Sequence, residues 1–472
     1  MRSVGRTARF GLAILLALAL ASCVTPRPGA EIAIEGVTVV DAMSGVRENQ
    51  RVVTRGDRIV WVGSMGEGGP VSKRVIDGRG RFLIPGLWDA HVHFLYDLEL
   101  TESMASLFLA YGVTSVRDTG GDLAQLFGIR DGWQRDGIVA PRLFVSGPLL
   151  DGAFVVYDGA TAAQPELGTS VPDTEAARAK VRWLHSMGAD FIKIYELVSP
   201  AVFRALVEEA NALGMPIASH VPLSLTADVA GPATGSMEHL RNIELACASD
   251  WRALLNDRRA LLQAFDEGRG YELRRGLHSS QRLPAIAAYD ADRCREVLSS
   301  LEGTMQVPTL RLNAFNRSRP DRNPEWQAAT RALPTSVRRR WQGVVERLDE
   351  GEARSDMTFA DWSLFLVGEM RDQGVPIAAG TDTPIRLAIP GESLHRELEL
   401  LVRSGLSTRE ALFAATVAPA RFFSLESEMG QIAEGMRADL VLLGANPLVD
   451  IRNTRRIEGV MSRGLWLPRS IR

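Results

Sequence analysis

Leu87-Trp88-Asp89-Ala90-His91-Val92-His93 is a short apolar run that ends in two imidazoles. In a strand, residues i and i+2 point to the same side, so His91 and His93 project together, with Asp89 on the same face. Runs of this kind recur at Val113–Asp118, Leu143–Ser146, Phe191–Tyr195, Pro216–His220, Ser236–His239, Val307–Leu310 and Pro376–Asp382. Helical segments separate them. Ser199-Pro200 reads as an N-cap followed by proline in the first turn, and Gly214 as the stop of that helix. Ser407 and Glu410 have the spacing of a capping box. Eight strands alternating with helices predict an α/β fold, a (β/α)8 TIM-like barrel over residues 85–430, with its chemistry at the strand carboxyl ends.

Outward from the barrel, the periodicity changes. Glu31–Val40, Arg51–Val62, Val75–Leu83, Ala438–Leu443 and Ile457–Trp466 read as strands. Neither end can bury a sheet face alone, so residues 31–84 and 431–472 are expected to form one small β-sandwich. Residues 240–306 are arginine-rich and partly helical, and fall between the sixth and seventh runs. They are expected to project over the catalytic end as a helical lid.

Residues 1–22 follow signal-peptide grammar: Arg2, Arg6 and Arg9, then an apolar Phe10–Leu20. That stretch is short for a permanent span, which needs about 20 residues. Leu20-Ala21-Ser22-Cys23 resembles a bacterial lipobox, and residues 23–30 make a polar tether. The resemblance implies lipidation of Cys23 and a cell-envelope location, with the periplasmic side of the outer membrane favoured because no aspartate follows the cysteine. Ordinary secretion with an incidental cysteine is the alternative. The membrane is expected as a partner through this anchor only.

Composition narrows the class. Hydrophobic residues make up 46% and charged residues 24%, which excludes disorder and coiled coil. The 54 basic and 57 acidic residues nearly cancel, so nucleic acid is not an expected partner. Three cysteines make no disulfide framework, and the spacing of Cys247 and Cys294 leaves their pairing open. Self-association is equally open. Only three of the basic residues are lysine: Lys73, Lys180 and Lys193.

The chemistry-bearing residues gather at strand ends. His220 ends the fifth run, His239 the sixth and Asp382 the eighth. Imidazole and carboxylate together suit zinc or a similar divalent metal. Lys193 interrupts the apolar run Phe191-Ile192-Lys193-Ile194-Tyr195. A buried lysine must lower its pKa or gain a partner. It could form a carbamate with carbon dioxide, or pair with Asp382, Asp89 or Asp118. Tyr195 on the same side of the strand, Tyr157 and Arg311 are candidate substrate contacts, Arg311 through its planar fork. Packing or a structural salt bridge competes with each. His185 and His278 read as ordinary polar residues. His395 reads as either a supporting or a structural group.

These motifs resemble the amidohydrolase superfamily, within it the imidazolonepropionase-like branch that includes metal-dependent dipeptidases. The resemblance is carried by residues 84–93, Gly112–Asp118, Gly188–Lys193, Gly374–Asp382 and Ala438–Val441. It implies two divalent metal ions. His91, His93 and Asp382 would hold one, His220 and His239 the other, and carboxylated Lys193 would bridge them. It implies Asp382 as general base and then acid, and hydrolysis of an amide in a small molecule such as a dipeptide or N-acyl amino acid. Lactone, ester or phosphotriester hydrolysis on the same site is the runner-up. A one-metal cyclic-amidine hydrolase or deaminase is a further alternative, and a non-catalytic envelope lipoprotein the last. The loop after the third run, Gly147–Phe154, lacks the histidine often found in related dipeptidases.

Overall fold

The structure is a computed structural model that describes residues 31–351 and 357–469. The expected leader and tether, Cys23 included, lie outside the described residues. No helix among those described is long and apolar enough to cross a membrane.

Both ends of the chain meet in a β-sheet domain, as their patterning requires. The strands form one connected eight-stranded sheet, where a sandwich of two sheets was expected. Its order runs Leu465–Pro468, Ile457–Ser462, Leu440–Leu443, Phe82–Pro85, Glu31–Asp41, Gly45–Arg55, Arg58–Ser64, and Arg74–Asp77 also pairs with Glu31–Asp41. Ile32, Ile34, Val37 and Val39 all enter its core, although their parity changes. A register shift between Glu35 and Val37 absorbs the change, with Gly36 at φ +69°. One extra residue there keeps both apolar pairs inward. Turns divide two runs read as single strands, at Gly78–Arg81 and at Arg463-Gly464.

The central region carries the parallel strands. Leu87–Val92, Val113–Asp118 and Arg142–Val145 form one sheet. Leu149–Asp151, Ile192–Ile194, Ile217–Ser219, Ser236–Glu238 and Met305–Val307 follow one another in a second sheet, which Gly168–Ser170 extends on the Leu149–Asp151 side. The third run thus serves the first sheet as Arg142–Val145, and the short strand after it, Leu149–Asp151, serves the second. The seventh strand ends at Val307, and a helical turn, Leu310–Asn313, replaces its expected end.

The eighth run does not complete a closed ladder, a correction to the expected barrel. Residues 376–383 make only isolated bridges, Gln306↔Ile377 and Val92↔Thr383. Single backbone bonds cross both seams, including Ala90 N–H to the Ala379 carbonyl at 3.0 Å and Asp382 N–H to the His91 carbonyl at 2.8 Å. The run cannot stay extended to its end, because Asp382 turns to φ +60°. Gly380 permits the close approach: a Cβ there would lie 2.5 Å from Val307 Cγ1.

The helices follow their punctuation. Ser199 caps Pro200–Ala212, accepting from Val202 N–H at 3.2 Å, and the Ser407–Glu410 box is formed in both directions. Residues 240–306 contain the helices Ile243–Ala246, Trp251–Ala264, Gly270–Ala287 and Ala291–Ser299.

Candidate metal centre

The strand ends bring His91, His93, Lys193, His220, His239 and Asp382 to one cavity of about 20 Å³, with Tyr157, Tyr195, Arg241 and Arg274 also on its wall. By volume it holds about one water or ion. All six candidate ligands are buried. Ring centroids of His91 and His239 lie 4.4 Å apart, of His220 and His239 4.7 Å, and of His91 and His93 5.2 Å. The tightest grouping of ligand atoms is His91, His239 and Asp382, all within 4.8 Å of one another. It cuts across the two ligand sets implied by the resemblance. His239 and Thr309, just beyond strands, and Asp382, in the eighth run, adopt φ of +63°, +45° and +60°. Non-glycine residues hold such angles only when the surroundings enforce them.

Hydrogen bonds fix the tautomers. His91 Nδ1 lies 2.6 Å from Glu238 Oε2, and His220 Nδ1 lies 2.7 Å from Glu196 Oε1. An ionised carboxylate only accepts, so each Nδ1 carries the proton and each Nε2 keeps its lone pair. Both carboxylates are ionised. Burial works against their charge, but Arg117, Lys193 and His91 hold Glu238 well below the usual range. Arg274, His278 and His220 do the same for Glu196. Arg117 Nη2 donates to Glu238 Oε1 at 2.7 Å. His239 Nδ1 lies 2.7 Å from Thr309 Oγ1.

Two imidazole nitrogens converge on one carboxylate oxygen. His91 Nε2 lies 3.3 Å from Asp382 Oδ1, and His93 Nε2 3.1 Å from the same oxygen. His93 Nδ1, Lys193 Nζ and Asp382 Oδ1 are buried without a hydrogen-bond partner. Such atoms are costly unless something else satisfies them. Burial pushes His220 down to about 3, so its ring is neutral. Burial opposes the charge on Asp382, but His239, His91 and His93 keep its carboxyl well below the usual range. Imidazoles around a carboxylate, with orphaned donor and acceptor atoms between them, fit a divalent cation.

Lys193 is fully buried, and burial pushes its amine down to about 7. Its nearest acid is Glu238, with Oε1 3.8 Å away, not the aspartates considered from sequence. Asp89 instead ties the first and eighth runs together, accepting from Thr381 N–H and Oγ1 at 2.9 and 2.6 Å. Asp118 accepts from Phe94 N–H at 2.7 Å.

Tyr195 and Tyr157 stand beside the histidines, with the Tyr195 ring 4.4 Å from His220 and 6.0 Å from Tyr157. Burial pushes both phenols up, so both remain O–H donors. Arg311 is not on the cavity wall. Its guanidinium donates to the carbonyls of Thr381, Ile385 and Arg386 at 3.1, 2.7 and 2.7 Å, so it braces the loop behind Asp382. Arg241 and Arg274 occupy the wall instead, each with a buried Nε that has no hydrogen-bond partner. His278, read as incidental, lies with Nε2 2.6 Å from Glu196 Oε2. His395 bridges Thr454 Oγ1 and the Tyr111 carbonyl at 2.8 and 3.0 Å, a structural role. Cys247 and Cys294 form a disulfide.

Comparison with known proteins agrees with this geometry. The amidohydrolase family profile matches residues 326–464. Imidazolonepropionase from Cupriavidus taiwanensis is 24% identical over 85% of this chain and 86% of its own. The chain is thus similar to members of the amidohydrolase superfamily. Adenine deaminase from Thermosipho africanus is 31% identical over 99 residues, 21% of this chain, and the match spans only 17% of that enzyme's length. Among solved structures, a Xaa-Pro dipeptidase with methionine bound in its active site superposes with a TM-score of 0.66 at 20% identity, over 93% of this chain and 100% of the other. At that identity the likeness concerns the fold.

Proposed function

We propose that this protein is a metal-dependent hydrolase of the amidohydrolase superfamily, acting on amide bonds in small molecules that carry a free carboxylate, such as dipeptides or N-acyl amino acids. The observation that carries the reading is the single cavity in which the histidines, Asp382 and Lys193 leave buried ligand atoms unsatisfied beside a cationic wall. His91, His93, His220, His239 and Asp382, with Lys193, would hold divalent metal, and zinc suits this donor set. A bound cation supplies Lewis acidity, which polarises a carbonyl and acidifies an attacking water. Lys193, with its amine brought near neutrality by burial, can add carbon dioxide: an N–C bond forms and one proton leaves, giving a carbamate that offers oxygen ligands. Asp382 accepts the proton of the attacking water at its carboxylate and hands it to the leaving nitrogen. Arg241 and Arg274 present cationic N–H groups to a substrate carboxylate, and the Tyr157 and Tyr195 hydroxyls supply further donors. The similarity of the fold to a Xaa-Pro dipeptidase supports a peptide-like substrate.

The test is a panel of dipeptides and N-acyl amino acids, each beside its carboxamide counterpart, together with an ester and a phosphotriester, on zinc-loaded protein. Loss of the charge-assisted contacts should cost the carboxamides on the order of tenfold to a hundredfold in kcat/KM. Absence of amide turnover in metal-loaded protein overturns the proposal. Lys193→Ala is expected to lower metal content, and unchanged content would remove Lys193 from the ligand set. An envelope location through lipidated Cys23 is part of the same reading, and the disulfide fits an oxidising compartment. Cys23→Ser should move the protein out of the membrane fraction.

A further inference from the structure

Glu196 collects donors from two separate parts of the molecule. His220, at the end of the Ile217–Ser219 strand, reaches Oε1 at 2.7 Å. The other donors come from the helix Gly270–Ala287 of the insertion. Arg274 Nη2 lies 2.9 Å from Oε1, and His278 Nε2 lies 2.6 Å from Oε2. His278 Nδ1 in turn accepts from Arg282 Nη2 at 2.9 Å. Positions 274, 278 and 282 recur every four residues, so one face of the helix presents all three. Glu196 is buried.

We propose that this insertion helix is a positioning element of the metal centre: Arg274 and His278 hold Glu196, Glu196 holds His220, and seating of the helix is thereby coupled to metal retention. The proposal rests on the metal reading given above. Without the helix, Glu196 is left with His220 alone, and a buried carboxylate with one donor does not keep its place. His220 Nδ1 then loses its fixed acceptor, and nothing commits Nε2 to the cavity. Linkage makes the effect reciprocal. A cation gripping His220 holds Glu196, and Glu196 holds the helix. Arg274 and His278 act through Glu196 and are positioning residues in this role.

The experiment uses the full chain with zinc and cobalt(II) as probes. In the unmodified protein, zinc is expected to slow amide hydrogen exchange across residues 270–287. His278→Ala should speed zinc release to a chelator on the order of tenfold to a hundredfold and change the visible spectrum of the cobalt form. His278→Gln, which keeps an N–H donor, should restore most of both. If zinc binds but leaves exchange in the helix unchanged, or if His278→Ala and Arg274→Ala both release zinc at the original rate, the coupling is overturned while the metal reading stands. If the unmodified chain takes up no zinc or cobalt, both fall. Should a variant fail to fold, the exchange measurement on the unmodified chain decides.

Discussion

Glu238 carries more of the site than any ligand does, because one carboxylate serves three donors. It accepts from Arg117 at 2.7 Å, from His91 at 2.6 Å and from Ser236 Oγ at 2.8 Å, and stands 3.8 Å from Lys193. Glu238→Gln removes the negative charge paired with the buried Arg117 guanidinium and 3.8 Å from Lys193. Breaking a buried pair in this way is expected to cost about 3–5 kcal/mol, read as a lower urea-unfolding free energy of the metal-free protein. A change below about 1 kcal/mol would mean that water reaches Arg117. Five of the six candidate ligands were legible because each is polar at or near the end of an apolar run, where a strand must stop burying side chains, and Lys193 because it interrupts one. Glu238 sends the same signal, a charge inside Ser236-Met237-Glu238, just as Lys193 does inside Phe191–Tyr195. Arg241, Arg274 and His278 sent none. The first is irregular backbone, and the other two lie in a helix whose apolar stripe gives no hint of which distant carboxylate it meets.

At the scale of elements, the insertion shows what local patterning can and cannot reveal. Its helical content and its place between the sixth and seventh strands follow from composition and order. Its seat depends on contacts between residues far apart in the chain, such as Arg258 with Gln281 at 2.6 Å and Arg259 with the Ser224 carbonyl at 2.9 Å. The Cys247–Cys294 disulfide encloses Trp251–Ala264 and Gly270–Ala287 and joins the base of the insertion. Cross-linking a loop of this length restricts the unfolded chain, so replacing both cysteines by serine should lower stability by about 2–4 kcal/mol. Limited proteolysis locates the effect: new cleavage is expected within residues 251–287 before any in the parallel strands. Equal protease resistance with and without the disulfide would show that the packing contacts suffice. The sandwich and the closed barrel were misread for a related reason. Alternation tells which residues share a face, but whether strands close a ladder depends on turns such as Asp382 at φ +60°, which no periodicity encodes.

At the scale of the whole molecule, the barrel region and the C-terminal segment are joined through a histidine that has to stay neutral. His395 lies on the helix Glu392–Arg403, fully buried, and its ring spans the Tyr111 carbonyl and Thr454 Oγ1. A neutral ring donates from Nε2 to the Tyr111 carbonyl, while Nδ1 lies against Thr454 Oγ1, whose hydroxyl is also within reach of the Ile451 carbonyl at 2.8 Å. Burial pushes the His395 ring down to about 3, with Arg455 acting in the same direction. The unfolded chain protonates this group near pH 6.5 and the folded chain does not until about pH 3. Between those values the unfolded state binds the extra proton, so stability falls as pH falls through that window. Below about pH 3 the penalty is complete, and above about pH 7 it is absent. His395→Gln retains a donor and an acceptor but cannot titrate. Between about pH 7.5 and about pH 5, the unmodified protein should lose about 2 kcal/mol of unfolding free energy that the variant keeps. The quantity to measure is the difference between the two proteins at each pH, which cancels every carboxylate they share. Parallel curves would mean that protonated His395 is tolerated at this junction, and that the C-terminal segment does not depend on a neutral ring to stay docked against the barrel.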